Sequence, residues 1–189
     1  MSDLATIYSH PGKPLKDHLQ GVIDGTQVRA ENKLAKLAAF FHDIGKINPN
    51  FQKKLLPNTK VKGYSQHAFL SAYIFHLFAL KHFKFLNIKP EQAITLKAII
   101  AKHHVDLPNL NQNFIDFPDS LNNPFEQLKN FILQNNDLLV SEYIDETKEL
   151  IDFDQIQEVS LKNEKHLNEF KIRLSKFSNN DHDPKKGTN

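Results

Sequence analysis

Apolar residues recur every three or four positions along most of the chain, the spacing that gathers them on one side of a helix. Leu15, His18, Leu19, Val22 and Ile23 share such a face. Pro14 suits the first turn of that helix, and Asp24-Gly25 ends it. A second run, from about Glu31 to Ile44, carries Leu34, Leu37, Ala38 and Phe41, with Ala35, Ala39 and Phe40 widening the stripe. So broad an apolar circumference predicts a central helix. Gly45 fits a C-terminal cap, and Asn48 fits the cap of a short helix holding Phe51 and Leu55. Residues 57–64 read as a basic surface loop.

Ser65 is the expected cap of a third helix, lined by His67, Leu70, Ser71, Ile74, Leu77 and Phe78. A fourth starts near Pro90 and carries Ile94, Leu96, Lys97, Ile99 and Ile100 toward His103 and His104, where Val105-Asp106-Leu107-Pro108 breaks it. Residues 109–123 form a long irregular connection. Pro124 opens a fifth helix with Phe125, Leu128, Phe131 and Ile132. A shorter one follows around Leu138 to Ile151, and a last one from about Gln155 to Phe177. No segment alternates with period two, so the class is all-α: a helical bundle with one domain over 1–178 and a disordered polar tail over 179–189.

Composition narrows the chemistry. The 189 residues include no cysteine, which excludes disulfides, thiolate metal sites and thiol nucleophiles. A net charge of +2 gives no bulk signal for nucleic acid, so any such surface is local. No long apolar stretch predicts a leader or a membrane span. Ten histidines are the compositional oddity.

The central segment is Phe40-Phe41-His42-Asp43-Ile44-Gly45-Lys46. His42 and Asp43 offer an imidazole nitrogen and a carboxylate oxygen, both ligands for divalent metals. An acid in the last turn of a helix is disfavoured by the dipole by about a few tenths of a kcal/mol, and a nearby cation explains its presence. Two adjacent ligands do not complete a coordination shell. His18 and His67 face inward on apolar helix faces, and His103-His104 close another helix. Adjacent helical residues point about 100° apart, so both histidines of that pair converge only where the chain unwinds. Each alone is weak, since a lone inward histidine is usually a hydrogen-bonded core residue. Four metal-capable segments together point to one centre. His76, His82, His166 and His182 lack such a setting, and His10 reads as structural, making a hydrogen bond near the site.

In order, His18, His42-Asp43-x-Gly-Lys46, His67 and His103-His104 resemble the HD-domain metal-dependent phosphohydrolase superfamily. Tyr8-Ser9-His10, Leu15-x-x-His18-Leu19, Phe51-Gln52, Ser65-x-His67-x-x-x-Ser71-Ala72 and Lys102-His103-His104 with Leu107 are similar to the HD nuclease domain of the type I CRISPR-associated nuclease-helicase. The resemblance implies two divalent ions, one held by His18, His42 and Asp43, the other by Asp43, His67, His103 and His104, with Asp43 bridging. Mixed imidazole and carboxylate ligands suit Mn, Fe, Ni, Co or Zn better than an all-oxygen Mg cage, though Mg belongs to the same list. Lys46 would lie beside the ions and contact a phosphate, making Asp43 and Lys46 the catalytic pair.

The implied activity is hydrolysis of single-stranded DNA by metal-activated water in CRISPR interference, beside a helicase part or subunit and an RNA-guided surveillance complex. Such a protein is cytoplasmic and touches no membrane. Lys53, Lys54, Lys60 and Lys62, flanked by Phe51 and Tyr64, are the candidate strand contacts together with Lys46. Two departures stand out. Val105 replaces a glycine, and the late aspartate of the first ion's shell has no matching text, leaving Asp137, Asp145, Asp152 and Asp154 as candidates by residue type. The final motif-bearing helix is therefore expected to be missing. The rival readings are a phosphohydrolase of small nucleotides and a catalytically incomplete docking module.

Overall fold

The computed structural model describes residues 6–27, 33–104, 124–134, 138–151 and 160–179. A short hairpin, β1 (Tyr8–His10) and β2 (Lys13–Pro14), leads directly into α1 (Leu15–Gln27). Pro14 therefore closes a strand, and α1 begins one residue later and runs past Asp24-Gly25. The hairpin is too short for a period-two pattern to register. Among the described residues all other regular elements are helical: α2 (Lys33–Phe41), a 3₁₀ turn (Ile44–Ile47), α3 (Pro49–Lys54), α4 (Ala68–Leu86), α5 (Pro90–Lys102), α6 (Pro124–Gln134), α7 (Leu138–Thr147), a second 3₁₀ turn (Lys148–Ile151) and α8 (Glu164–Asn179). The chain is all-α, as its periodicity predicts.

The most enclosed helix is α4 rather than α2. Every residue from Leu70 to Ala79 is buried, and α2, α5, α6, α8 and the first 3₁₀ turn all pack on it. Its apolar residues surround it almost completely, which suits a helix covered on all sides. By contrast, α2 buries Leu37, Ala39, Phe40 and Phe41, and Lys33 opens it at the surface. Asn48 caps α3 as expected, its Oδ1 accepting the Asn50 N–H at 2.8 Å. Ser65 does not cap α4. The helix starts at Ala68, with His67 in the cap position.

The helix expected from Gln155 begins at Glu164, after the non-helical Ser160–Asn163 stretch that accepts the Tyr73 hydroxyl at Leu161 O, 3.0 Å. Val105, the connection over 109–123, Asp137, Asp152, Asp154, His182 and residues 180–189 lie outside the described residues. Among the described residues no helix is long and apolar enough to cross a membrane.

His76 is a buried core residue, like His82. It accepts a bond at Nδ1 from the buried Lys97 ammonium, 3.4 Å away. Burial brings His76 down to about 3 and Lys97 to about 8, which keeps this imidazole neutral and accepting.

Candidate metal centre

The centre is built where helices stop. Phe40 and Phe41 are fully buried, and the Phe41 ring packs against Phe75 and Phe78 at 5.2 and 4.9 Å, fixing the end of α2. The chain then bends at His42 and Asp43 and enters the 3₁₀ turn. These two residues thus lie just beyond the helix instead of in its last turn. Asp43 occupies the cap position of the 3₁₀ turn, yet its side chain makes no capping bond. Its carboxylate is therefore free to face inward, and Asp43 is 3% exposed.

Three other helix regions bring imidazoles to it. His18 stands on the inner side of α1, His67 at the cap position of α4 without a capping bond, and His103 at the C-cap of α5 with His104 next to it. The paired histidines follow the last residue of α5, Lys102, His103 still in right-handed helical geometry, and their ring centroids are 4.0 Å apart. Asp43 Oδ1 lies 3.0 Å from His67 Nε2 and 3.3 Å from His103 Nε2. Oδ2 lies 2.8 Å from His18 Nε2, 3.3 Å from His42 Nε2 and 2.7 Å from Lys46 Nζ. The metal-capable atoms of Asp43, His67, His103 and His104 all lie within 4.8 Å of one another, and so do those of His18, His42 and Asp43.

These side chains fit divalent ions. His42 Nδ1 donates to Ala39 O at 2.6 Å and His103 Nδ1 donates to Ile100 O at 2.7 Å. A carbonyl only accepts, so in the neutral ring the proton sits on Nδ1 and the Nε2 lone pair faces the carboxylate. Lone pairs facing a carboxylate repel unless a cation lies between them. Asp43 Oδ1 and His103 Nε2 accordingly are buried without a hydrogen-bond partner, although 3.3 Å apart. His18 Nε2 and His42 Nε2 are 3.3 Å apart, and His67 Nε2 and His104 Nε2 are 2.7 Å apart. With bonds of about 2.1 Å, ligands of one ion stand roughly 3.0–3.4 Å from each other, close to most of these separations.

Electrostatics favour the same ligand states. Burial alone would raise the pKa of Asp43, but positive charge or N–H donors presented to it at His103, His42 and His67 outweigh burial and hold the carboxyl well below its usual range, and a metal ion between the neutral rings and the carboxylate plays the same part. Burial lowers the pKa of His18, His67 and His104, in each case outweighing the opposing pull of Asp43. An anionic carboxylate among neutral imidazoles is the ligand state a metal needs.

The family model for "Cas3, HD domain" matches residues 5–177. The chain belongs to that family. Cas3 HD domains are CRISPR-associated, metal-dependent nuclease modules. No curated protein and no solved structure matches the chain significantly.

Around this Cas3 HD centre the other candidates divide. Lys46 is 4% exposed and belongs to the centre. Lys53, Lys54, Lys60 and Lys62 are exposed on α3 and the loop after it, outside both ligand clusters. Tyr64 does not flank them at the surface. It is buried, with its ring 5.4 Å from Phe131. Phe51 does reach the site, its ring edge-on to His67 at 5.0 Å. Asp145 is exposed and pairs with Lys148 at 2.9 Å, so it supplies no ligand.

Two residues border the centre without joining either ligand cluster, His10 in the structural, hydrogen-bonded role expected of it. His10 stands edge-on to His18 at 5.5 Å, bonded through Nδ1 to Ser9 Oγ at 3.2 Å. The Gln52 amide donates to Lys46 O at 2.7 Å and to Tyr8 O at 2.8 Å, tying the hairpin to the turn that holds Lys46. Its position one residue after Phe51 was visible only as part of the family pattern.

Proposed function

We propose that this chain hydrolyses phosphodiester bonds of single-stranded DNA with divalent ions held around Asp43. It acts in the cytoplasm, in CRISPR interference beside a helicase part and an RNA-guided complex. The observation that carries this reading is that each oxygen of one buried carboxylate faces its own set of imidazole Nε2 atoms. The ligands are His18, His42 and Asp43 on one side and Asp43, His67, His103 and His104 on the other. Mn, Fe, Ni, Co, Zn or Mg, once bound, supplies Lewis-acid polarisation of a phosphoryl oxygen and lowers the pKa of water. The residues do the rest. The carbonyls of Ala39 and Ile100 orient His42 and His103. The Lys46 ammonium is a point charge for a phosphate oxygen. Lys53, Lys54, Lys60 and Lys62, with Phe51, offer a basic and aromatic track for the strand.

The test is cleavage of circular single-stranded DNA by the purified chain across a panel of divalent ions, with nucleotides in parallel. Cleavage of the circle that EDTA abolishes supports the proposal. Phosphate release from nucleotides alone supports a small-nucleotide phosphohydrolase. Inertness with every ion supports a docking module.

A second expected outcome concerns pH. Only the neutral imidazole binds metal, and burial sets His18, His67 and His104 below the ordinary 6.5. Protons compete as pH falls through those lowered values, and metal affinity is retained above them. Mn²⁺ affinity measured by calorimetry should therefore change little from pH 7.5 to 6.5 and drop at lower pH. A midpoint at or above 6.5 would contradict this account of the burial.

A further inference from the structure

Building on the metal-centre reading, we propose that Lys46 holds the Oδ2 side of Asp43 in place of a second cation. The chain then takes one divalent ion on the Oδ1 side and admits another beside His18 and His42 only when a phosphodiester draws the ammonium away.

The two sides of the carboxylate are unequal. Oδ1 faces His67 and His103, with His104 completing that cluster, and no ammonium contacts this oxygen among the described residues. Oδ2 faces two imidazoles and Lys46 Nζ, and the 2.7 Å to the ammonium is its shortest contact. Asp43 is the sole carboxylate in either cluster among the described residues, and Lys46 already balances its charge. A divalent ion on the same oxygen would face that ammonium in a buried setting, where repulsion is screened poorly.

Lys46 keeps a second partner when it leaves Oδ2. Its Nζ lies 5.5 Å from the centroid of the Phe51 ring, and Phe51 is half-buried beside His67. A cation over an aromatic face is favourable, and the lysine stem is flexible. A phosphodiester adds negative charge and oxygen acceptors, giving the ammonium a new partner and offsetting a second ion. The resting chain is thus a one-ion protein, and the second ion loads with the substrate class it helps to cleave.

Equilibrium dialysis of the full chain against Mn²⁺ tests this, read by metal content and by electron paramagnetic resonance of coupled ion pairs. The expected result is one uncoupled ion without added anion and two coupled ions with dimethyl phosphate. Lys46→Met should take two ions without the anion, the second at least about tenfold tighter than in the wild type. Lys46→Arg should still take one. His104→Ala should weaken the first ion, and His18→Ala should leave it in place. Two ions in the anion-free wild type would overturn the proposal, as would one ion in a folded Lys46→Met. If Lys46→Met does not fold, the wild-type arm decides alone, and one ion in the presence of dimethyl phosphate refutes it. Failure to bind any Mn²⁺ would overturn the metal-centre reading itself, which separates the two failures.

Discussion

Asp43→Asn removes nuclease activity by at least about 10³-fold and abolishes the rise in melting temperature that Mn²⁺ gives the wild type. Asparagine keeps the shape of the side chain and removes the one negative ligand that both imidazole clusters share. At a metal concentration about 100 times Kd, binding stabilises the folded chain by about 2.7 kcal/mol. For a chain of this length that is about 5–10 °C, readable by calorimetry. The same substitution has a cost without metal. Lys46 is buried and its ammonium stands 2.7 Å from the lost charge, so it is left uncompensated, on the order of 3–5 kcal/mol. Asp43→Asn with Lys46→Met removes both charges and should recover most of that stability while staying inactive and unresponsive to metal. Recovery of folding without recovery of metal binding separates the ligand role of Asp43 from its structural role. A metal-dependent shift that survives in Asp43→Asn would remove Asp43 from the centre.

The residues that meet at the centre were legible in the chain because their settings are local. His18 and His67 stand on helical apolar stripes, and His103 and His104 stand where a helix runs into a proline-containing breaker. A local pattern says which residues face inward. It does not say which oxygen of a carboxylate each imidazole will face, because that depends on how four helix ends are brought together by α4 packing against its neighbours. The division into two sides of Asp43 therefore does not follow from local pattern; it enters through the family resemblance, which implies His18 and His42 on one ion and His67, His103 and His104 on the other.

The place of Lys46 beside the ions is likewise implied by the resemblance, whereas its burial in the 3₁₀ turn, with Gln52 donating to its carbonyl, is set by packing that no local pattern records. Tyr64 is buried for a similar reason. Its polar, lysine-rich surroundings suggest a surface aromatic, but its ring fills a gap next to Phe131 from a helix some sixty-seven positions later. Burial arranged by distant segments leaves no periodic trace.

Gly45→Ala should destabilise the chain by about 2–4 kcal/mol and weaken Mn²⁺ binding in the same variant. The reason is not backbone freedom. Gly45 lies inside the 3₁₀ turn and has no positive φ. Its position matters because the turn is pressed against the start of α4. A Cβ there would stand 2.3 Å from His67 O, 2.8 Å from Ser71 N and 2.9 Å from Ser71 Oγ. The first two of these atoms form the opening bond of α4, Ser71 N–H to His67 O at 2.7 Å, and Ser71 Oγ accepts the Gly45 N–H at 2.8 Å. A methyl group can enter only by breaking those bonds or by driving the Asp43 turn away from His67. Either route disturbs the 3.0 Å approach of His67 Nε2 to Asp43 Oδ1, and a ligand displaced by about 1 Å costs far more in function than in packing. Gly25→Ala is the matched control. It lies within α1 with nothing within 4 Å of the added carbon, so it should raise stability by about 0.5–1 kcal/mol through helix propensity and leave the metal affinity unchanged. Urea denaturation and Mn²⁺ titration of the two variants side by side give the decision. Wild-type stability and affinity in Gly45→Ala would mean that the turn and α4 are not in contact as described, and the link from the Asp43 turn to His67 would go with it.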